Sequence, residues 1–115
     1  MILDLISKYD DLIISYNITK FQVVGSSYNL ICKMDLLDNS RLFIRDYLFL
    51  NGARKYSFHW QNNIGECILR WDNAPHHQEI ATFPYHLHVG KEENIEESHP
   101  MKLEMVLEYI RKQIL

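Results

Sequence analysis

Residues 41–61 carry an alternating side-chain pattern interrupted by an Asn-Gly pair, and this feature constrains the fold more than any other part of the chain. Alternation with a period of two is typical of a β-strand that buries one of its faces. An Asn-Gly pair favours the tight turn of a β-hairpin. The segment therefore predicts two antiparallel strands, at residues 41–50 and 55–61, joined at Asn51 and Gly52.

Comparable segments on both sides extend this hairpin into a meander. Apolar residues at helical spacing predict one helix over the first dozen residues and another after Ser98, which fits as its N-cap. We therefore expect one α+β domain spanning residues 1–115, with an antiparallel β-meander of about five strands flanked by an N-terminal and a C-terminal helix on one face. The further strands are predicted at residues 17–24, 28–37 and 66–71, with a short one at 86–89.

The composition indicates a cytoplasmic protein. The apolar share of 47% and the charged share of 23% are ordinary for a globular domain. The longest apolar run is too short for a membrane span, and acids inside the first apolar run do not fit a signal peptide. Cys32 and Cys67 lie far apart in strand-like surroundings, which favours two buried free thiols over a disulfide.

The net charge of −3 limits how this chain could bind a nucleic acid. Binding through many phosphates usually needs a basic surplus, so any such contact must be local, as at the basic residues of segment 41–55. The acidic run at residues 92–97 is predicted to be a solvated loop.

Strand parity is expected to bring several polar side chains to one face of the sheet. Pairing of Leu50 with Lys55 across the Asn51-Gly52 turn places Asp46 directly opposite His59, and the register carried through the next turn adds Arg70 and Asp72 to that face. Two interpretations stay open, a functional site and a structural polar network between strands. The opposite face would hold an aromatic-rich set, namely Tyr47, Phe49, Tyr56, Phe58, Trp60, Leu69 and Trp71.

Residues 70–90 contain four of the six histidines, punctuated by two prolines that predict a loop. His86 and His88 are two apart on the short predicted strand, so both imidazoles point the same way. Zinc bound by these two with His76 and His77 is one alternative, but without a thiolate or a helical HExxH motif the spacing only weakly indicates a metal. We therefore predict no metal or other cofactor.

A metal-free reaction could use the same residues. RNA cleavage through the 2′-hydroxyl needs a general base, a general acid and a cation beside the phosphorus. Arg70 suits the cation because a guanidinium can bind two phosphate oxygens, and His86 or His88 could exchange protons. With the groups that could orient an imidazole, the candidate catalytic residues are Asp46, His59, Arg70, Asp72, His86 and His88.

The ordered motifs KYSFHW, ILRWDNAPHH and TFPYHLHVG, followed by a terminal helix, resemble the TumE-type toxins of prokaryotic toxin–antitoxin modules. The resemblance covers the pattern from residue 41 to the C-terminus. It implies a companion antitoxin, usually a helix-turn-helix protein encoded next door, without fixing a mechanism. The positions that match the family's motifs are Arg70, Asp72, Asn73, His76, His77, His86 and His88.

We therefore predict a toxin-like component of a type II toxin–antitoxin module, with a metal-independent endoribonuclease as the favoured chemistry. Whether it is an enzyme, and whether it forms an oligomer, the sequence leaves open. The alternative is a non-catalytic interaction protein whose histidine loop is structural or held by a metal. Candidate substrate contacts, with RNA as the substrate, are Asn73, His76, His77, Tyr56 and Tyr85.

Overall fold

The chain consists of a helix, seven strands and a second helix, as described for residues 1–115 by a computed structural model. All seven strands form one antiparallel sheet in chain order, which confirms the predicted α+β meander but with more strands than about five. Neither helix has the length and hydrophobicity needed to cross a membrane. The elements are α1 (Ile2–Lys8), β1 (Ile13–Val24), β2 (Ser27–Leu36), β3 (Arg41–Leu48), β4 (Arg54–Gln61), β5 (Cys67–Asp72), β6 (His86–Val89), β7 (Ile95–Glu97) and α2 (Leu103–Ile114).

The N-terminal helix is shorter than predicted. α1 ends at Lys8, and the chain turns before β1 begins at Ile13. Asp10 and Asp11 follow Tyr9, the C-cap of the helix, and negative charge near a helix C-terminus is unfavourable to the helix dipole. The β-branched residues that come next favour a strand, so β1 starts earlier than predicted.

The acidic segment near the C-terminus also differs from the prediction. Ile95–Glu97 forms β7, which pairs with β6, although the sequence predicts a solvated loop there. α2 begins at Leu103 with Lys102 at its N-cap, so Ser98 is not the cap. The sheet therefore ends in two short strands, and the residues between β5 and β7 are held at its edge.

Both helices pack on one face of the sheet, as predicted. The hydroxyl of Tyr9 in α1 donates a hydrogen bond of 2.9 Å to the Glu108 carboxylate in α2, so the helices also contact each other. The opposite side of the sheet, here called the open face, carries no helix. Core side chains with 1% exposure or less include Leu12, Met34, Leu36, Leu42, Ile44, Phe58, Val106, Leu107 and Ile110.

Both cysteines are free thiols, as predicted. Cys32 is buried in the core, where burial raises the pKa of its thiol to about 11. Cys67 is only half-buried, so the expectation of two buried thiols holds for Cys32 alone.

The turn between β3 and β4 occupies residues 49–53, whereas the prediction leaves residues 51–54 between the strands, and this difference changes the residues that share a face. The last residue of β3 pairs with the first residue of β4, a register displaced by an odd number of residues from the predicted one. Such a displacement turns one strand over relative to the other. The predicted pairing of Asp46 with His59 is therefore wrong: Asp46 lies opposite Tyr56 on the helix-covered face, whereas His59 lies on the open face.

Asp46 instead belongs to a buried ion pair. Its carboxylate accepts a hydrogen bond of 2.9 Å from Arg54 Nη2 and one of 3.2 Å from the hydroxyl of Tyr28. Arg54 also donates through Nη1 to the carbonyl of Met101, 2.8 Å away. This network joins β2, β3 and β4 to the segment before α2. The geometry therefore supports a structural role for Asp46 and not a place in a functional site.

Replacing Asp46 with asparagine should lower the free energy of unfolding by roughly 2 kcal/mol, because the partly buried Arg54 guanidinium loses its counter-charge. The Asp35→Asn variant is the matched control. Asp35 is ion-paired with Arg41 at 2.7 Å, but both side chains are more than a third exposed, so we expect a loss below about 1 kcal/mol. Urea denaturation measures both values, and equal losses would contradict the structural role of Asp46.

Candidate functional site

Polar side chains form continuous rows across β4, β5 and β6 on the open face. His59 pairs with Arg70, and Arg70 pairs with His88 on the following strand. The adjacent row consists of Ser57, Asp72 and His86. The structure thus brings together five of the six residues predicted to be catalytic and leaves out Asp46.

Three imidazoles meet at this face and form what we call the histidine cluster, His77, His86 and His88. The ring of His77, from the loop between β5 and β6, lies edge-on to that of His86 with centroids 4.7 Å apart and to that of His88 at 5.7 Å. The centroids of His86 and His88 are 4.8 Å apart. His86 is 1% exposed and His88 3%, whereas a quarter of the His77 side chain is exposed, so the loop covers the two strand histidines.

Backbone carbonyls fix the orientation of the two buried rings. His86 Nδ1 lies 2.9 Å from the carbonyl of Pro84, and His88 Nδ1 lies 2.7 Å from the carbonyl of Glu92. A carbonyl only accepts, so each Nδ1 carries the hydrogen, and Nε2 of a neutral ring keeps its lone pair. His88 Nε2 accordingly accepts from the Arg70 guanidinium at 3.1 Å. Both rings are thereby held in one orientation, with Nε2 of His86 beside Asp72 and Nε2 of His88 beside Arg70.

Arg70 is the cation of the site. Its Nη2 donates to Glu92 Oε2 at 2.7 Å, and its Nη1 contacts the other oxygen of the same carboxylate. Its Nε lies 3.5 Å from Asp72 Oδ2 and has no hydrogen-bond partner. The guanidinium therefore holds a pair of oxygens side by side, the arrangement in which arginine also binds phosphate.

The electrostatic surroundings lower the pKa of two histidines. Burial lowers the pKa of His59, and the nearby Arg70 charge lowers it further. Burial also lowers the pKa of His88, with Arg70 acting in the same direction, although the hydrogen bond to the Glu92 carbonyl partly opposes this. His59 Nε2 is buried without a hydrogen-bond partner. Both rings are therefore neutral at neutral pH.

Asp72 lies next to the other strand histidine. Its Oδ1 is 3.4 Å from His86 Nε2 and accepts a hydrogen bond of 2.7 Å from the backbone N–H of Ala74. The carboxylate is thus fixed at the end of β5, where it can orient the His86 ring or accept a hydrogen from it.

Four of the five residues predicted to contact a substrate lie outside the histidine cluster. Tyr56 is buried in the core, and Asn73 bridges to the backbone of β4, accepting from the N–H of Tyr56 at 2.9 Å and donating to the carbonyl of Arg54 at 2.8 Å. Tyr85 packs against the core, and His76 is exposed. Only His77, in the loop between β5 and β6, belongs to the cluster.

Sequence reasoning missed Glu92, which contacts both Arg70 and the His88 ring. The acidic run around it resembles solvated surface, and nothing in its own residue type marks it out. The available signal was Gly90, which has a positive φ of 73° and reverses the chain directly after β6. A reversal at that point returns the following residues to the strand they have just left.

A groove of about 340 Å³ continues from the site along the open face. His59 belongs to both, since it lines the groove and lies beside Arg70 in the sheet. The groove is also lined by the basic residues Lys33 and Arg45 and by the ring of Phe43, which is 36% exposed. Positive charge with an exposed aromatic ring is the combination that single-stranded nucleic acids bind.

Comparison with known proteins gives one result. The family model described as "Toxin TumE" matches residues 2–114, nearly the whole chain. No curated protein and no solved structure matches the chain significantly.

Proposed function

The chain belongs to the TumE toxin family, and from this membership and the geometry of the open face we propose that it is a toxin that cleaves RNA without a metal ion. The observation that carries the proposal is the convergence of one guanidinium and two oriented imidazoles on one side of the sheet. Cleavage through the 2′-hydroxyl needs a cation, a base and an acid, and these three groups can supply them.

Arg70 would bind the scissile phosphate. Its two terminal nitrogens already contact the two oxygens of the Glu92 carboxylate, a geometry that phosphate oxygens can adopt equally well. The Glu92 side chain is 61% exposed, so it can swing into solvent and leave the guanidinium to the substrate.

The two strand histidines would move the protons. His88 Nε2, with its lone pair, takes the proton of the 2′-hydroxyl as the 2′-oxygen forms a bond to phosphorus. His86 is the proposed acid: with Asp72 3.4 Å from its Nε2, it would give a proton from that nitrogen to the 5′-oxygen as the phosphorus–5′-oxygen bond breaks. The products are a 2′,3′-cyclic phosphate and a free 5′-hydroxyl. His88 then loses its extra proton to water and His86 regains one from water.

The groove offers a path for the rest of the RNA strand. Lys33 and Arg45 supply positive charge, and Phe43 supplies a ring on which a base can stack. This local basic surface is compatible with the net charge of −3, because no acidic residue lines the groove. Membership of a toxin family implies an antitoxin partner, which we propose to be a helix-turn-helix protein acting in a type II module in the cytoplasm.

One observation favours the alternative of a non-catalytic interaction protein. His86 and His88 are 1% and 3% exposed, so they reach a substrate only if the loop carrying His77 or the segment carrying Glu92 moves. In that alternative the polar rows are structural, and a toxin of this kind would arrest growth by binding a macromolecule and not by cleaving RNA.

Expression of the chain without an antitoxin should arrest growth, and the His86→Gln and His88→Gln variants should relieve the arrest. His99→Gln is the matched control, because His99 is exposed and outside the site. Purified protein in EDTA should cleave an RNA oligonucleotide but not the same strand with a single 2′-deoxy substitution at the cut. A harmless wild type would overturn the toxin proposal. Arrest by folded variants as strong as that of the wild type would overturn the catalytic one.

A further inference from the structure

We propose that the histidine cluster is also a binding site for a zinc-type transition-metal ion, with one ring nitrogen from each of His77, His86 and His88 as ligands. The site stands on its own geometry and does not depend on RNA cleavage. Of the four histidines in the sequence alternative, the structure selects these three and leaves the exposed His76 outside.

The ligand atoms are close to the spacing that zinc needs. One nitrogen from each of the three rings lies within 4.8 Å of the others. Tetrahedral zinc with Zn–N bonds of about 2.0–2.1 Å has its ligand nitrogens about 3.4 Å apart. Closing the separation of up to 4.8 Å to this spacing takes about 1.4 Å, and His77, carried by a loop, is the ligand that can move.

Two of the three ligands are already oriented as metal ligands usually are. A histidine that binds a metal donates its other ring N–H to a backbone carbonyl or a carboxylate, which fixes the ring. His86 and His88 donate Nδ1–H to the carbonyls of Pro84 and Glu92, so the lone pair of each neutral ring lies on Nε2. Arg70 donates to Nε2 of His88 at 3.1 Å, so its guanidinium has to turn away before that nitrogen can bind an ion. Both rings are also more than 95% buried, which limits competition from water.

The surrounding charges suit a cation. Asp72 lies 3.4 Å from His86 Nε2, and the Glu92 carboxylate lies 3.4 Å from His88 Nδ1. Arg70 is the single positive charge among them, so the two carboxylates leave the surroundings net negative. Three imidazoles suit zinc, cobalt, nickel and copper, whereas magnesium and calcium prefer oxygen ligands.

Metal binding and the proposed proton transfer would exclude each other, a consequence that rests on the proposed function. The lone pair on His88 Nε2 cannot bind a metal and also accept a proton. A bound ion would in addition join the loop carrying His77 to β6. Zinc is therefore expected to inhibit RNA cleavage while stabilising the fold.

Titration of EDTA-stripped protein with Zn²⁺, by calorimetry and by competition with a chromogenic chelator, tests the site. We expect one ion per chain, a dissociation constant of about 1 μM or below, and a higher melting temperature that Mg²⁺ does not produce. His77→Ala should weaken binding at least about 10-fold and abolish the thermal shift. His76→Ala, the neighbouring exposed control, should leave both unchanged.

Two outcomes would overturn the metal site. One is the absence of binding at about 100 μM Zn²⁺. The other is equal affinity of the folded His77→Ala and His76→Ala variants, which would place the ion elsewhere. RNA cleavage by a protein that binds no zinc would overturn this inference alone. Zinc binding by a protein that never cleaves RNA would overturn the proposed reaction alone.

Discussion

Replacing Arg70 with alanine should lower RNA cleavage by the purified protein by on the order of 100- to 1,000-fold and abolish growth arrest. Arg70 is the only cationic side chain in contact with His88, and its guanidinium holds two carboxylate oxygens as it would hold two phosphate oxygens. Without it, nothing beside the imidazoles neutralises the charge that builds up on phosphorus in the transition state.

Two further variants separate charge from shape. Arg70→Lys keeps the charge but cannot bind two oxygens in parallel, so its activity should lie between those of the wild type and the alanine variant. Arg111→Ala, which removes an exposed arginine paired with Asp11 on the helical side, should keep full activity. Melting temperatures establish that each variant is folded. Wild-type activity in a folded Arg70→Ala variant would rule out the phosphate role.

Replacing Phe58 with alanine should cost about 3–5 kcal/mol of folding free energy, the largest stability effect that we expect in this chain. Phe58 has no exposed surface, and its ring stacks on that of Tyr56 with centroids 5.2 Å apart. It lies on β4, the middle strand of the sheet, between Ile44 and Trp71. Truncation therefore removes apolar contacts and leaves a cavity that the rigid strands around it cannot close.

The matched control for this variant is Phe49→Ala. Phe49 is 45% exposed in the turn after β3, so its truncation should change the free energy of unfolding by less than about 0.5 kcal/mol. Urea denaturation followed by the fluorescence of the buried Trp60 and Trp71 reports on both. Similar losses of unfolding free energy in the Phe58→Ala and Phe49→Ala variants would contradict the placement of Phe58 in the core.

Local pattern was sufficient to predict the strands that carry the site. β6 spans His86–Val89 as predicted, because two histidines separated by one apolar residue can share a face only in an extended chain. The same rule places Arg70 and Asp72 together on β5. These predictions need no knowledge of how the strands meet.

Long-range pairing and loop closure could not be read in the same way. The predicted partner of Asp46 is wrong because β3 and β4 pair with Leu48 opposite Arg54 and not with Leu50 opposite Lys55, and no residue of β3 itself reveals this register. Ile95–Glu97 has little strand propensity, and it becomes β7 only because β6 offers backbone partners. Glu92 reaches Arg70 through a chain reversal that depends on the backbone at Gly90.

The position of the site at the margin of the sheet has a consequence for its dynamics. β5, β6, β7 and the segments between them contain every member of the site except Ser57 and His59 on β4, and the last two strands are four and three residues long. Short strands at a sheet edge open at a lower free energy than the strands over the core. His86 and His88 can therefore be uncovered by a local unfolding event that leaves β1–β4 and both helices intact. Their burial describes the closed molecules in the population, and a small open fraction exposes both rings to solvent and solutes.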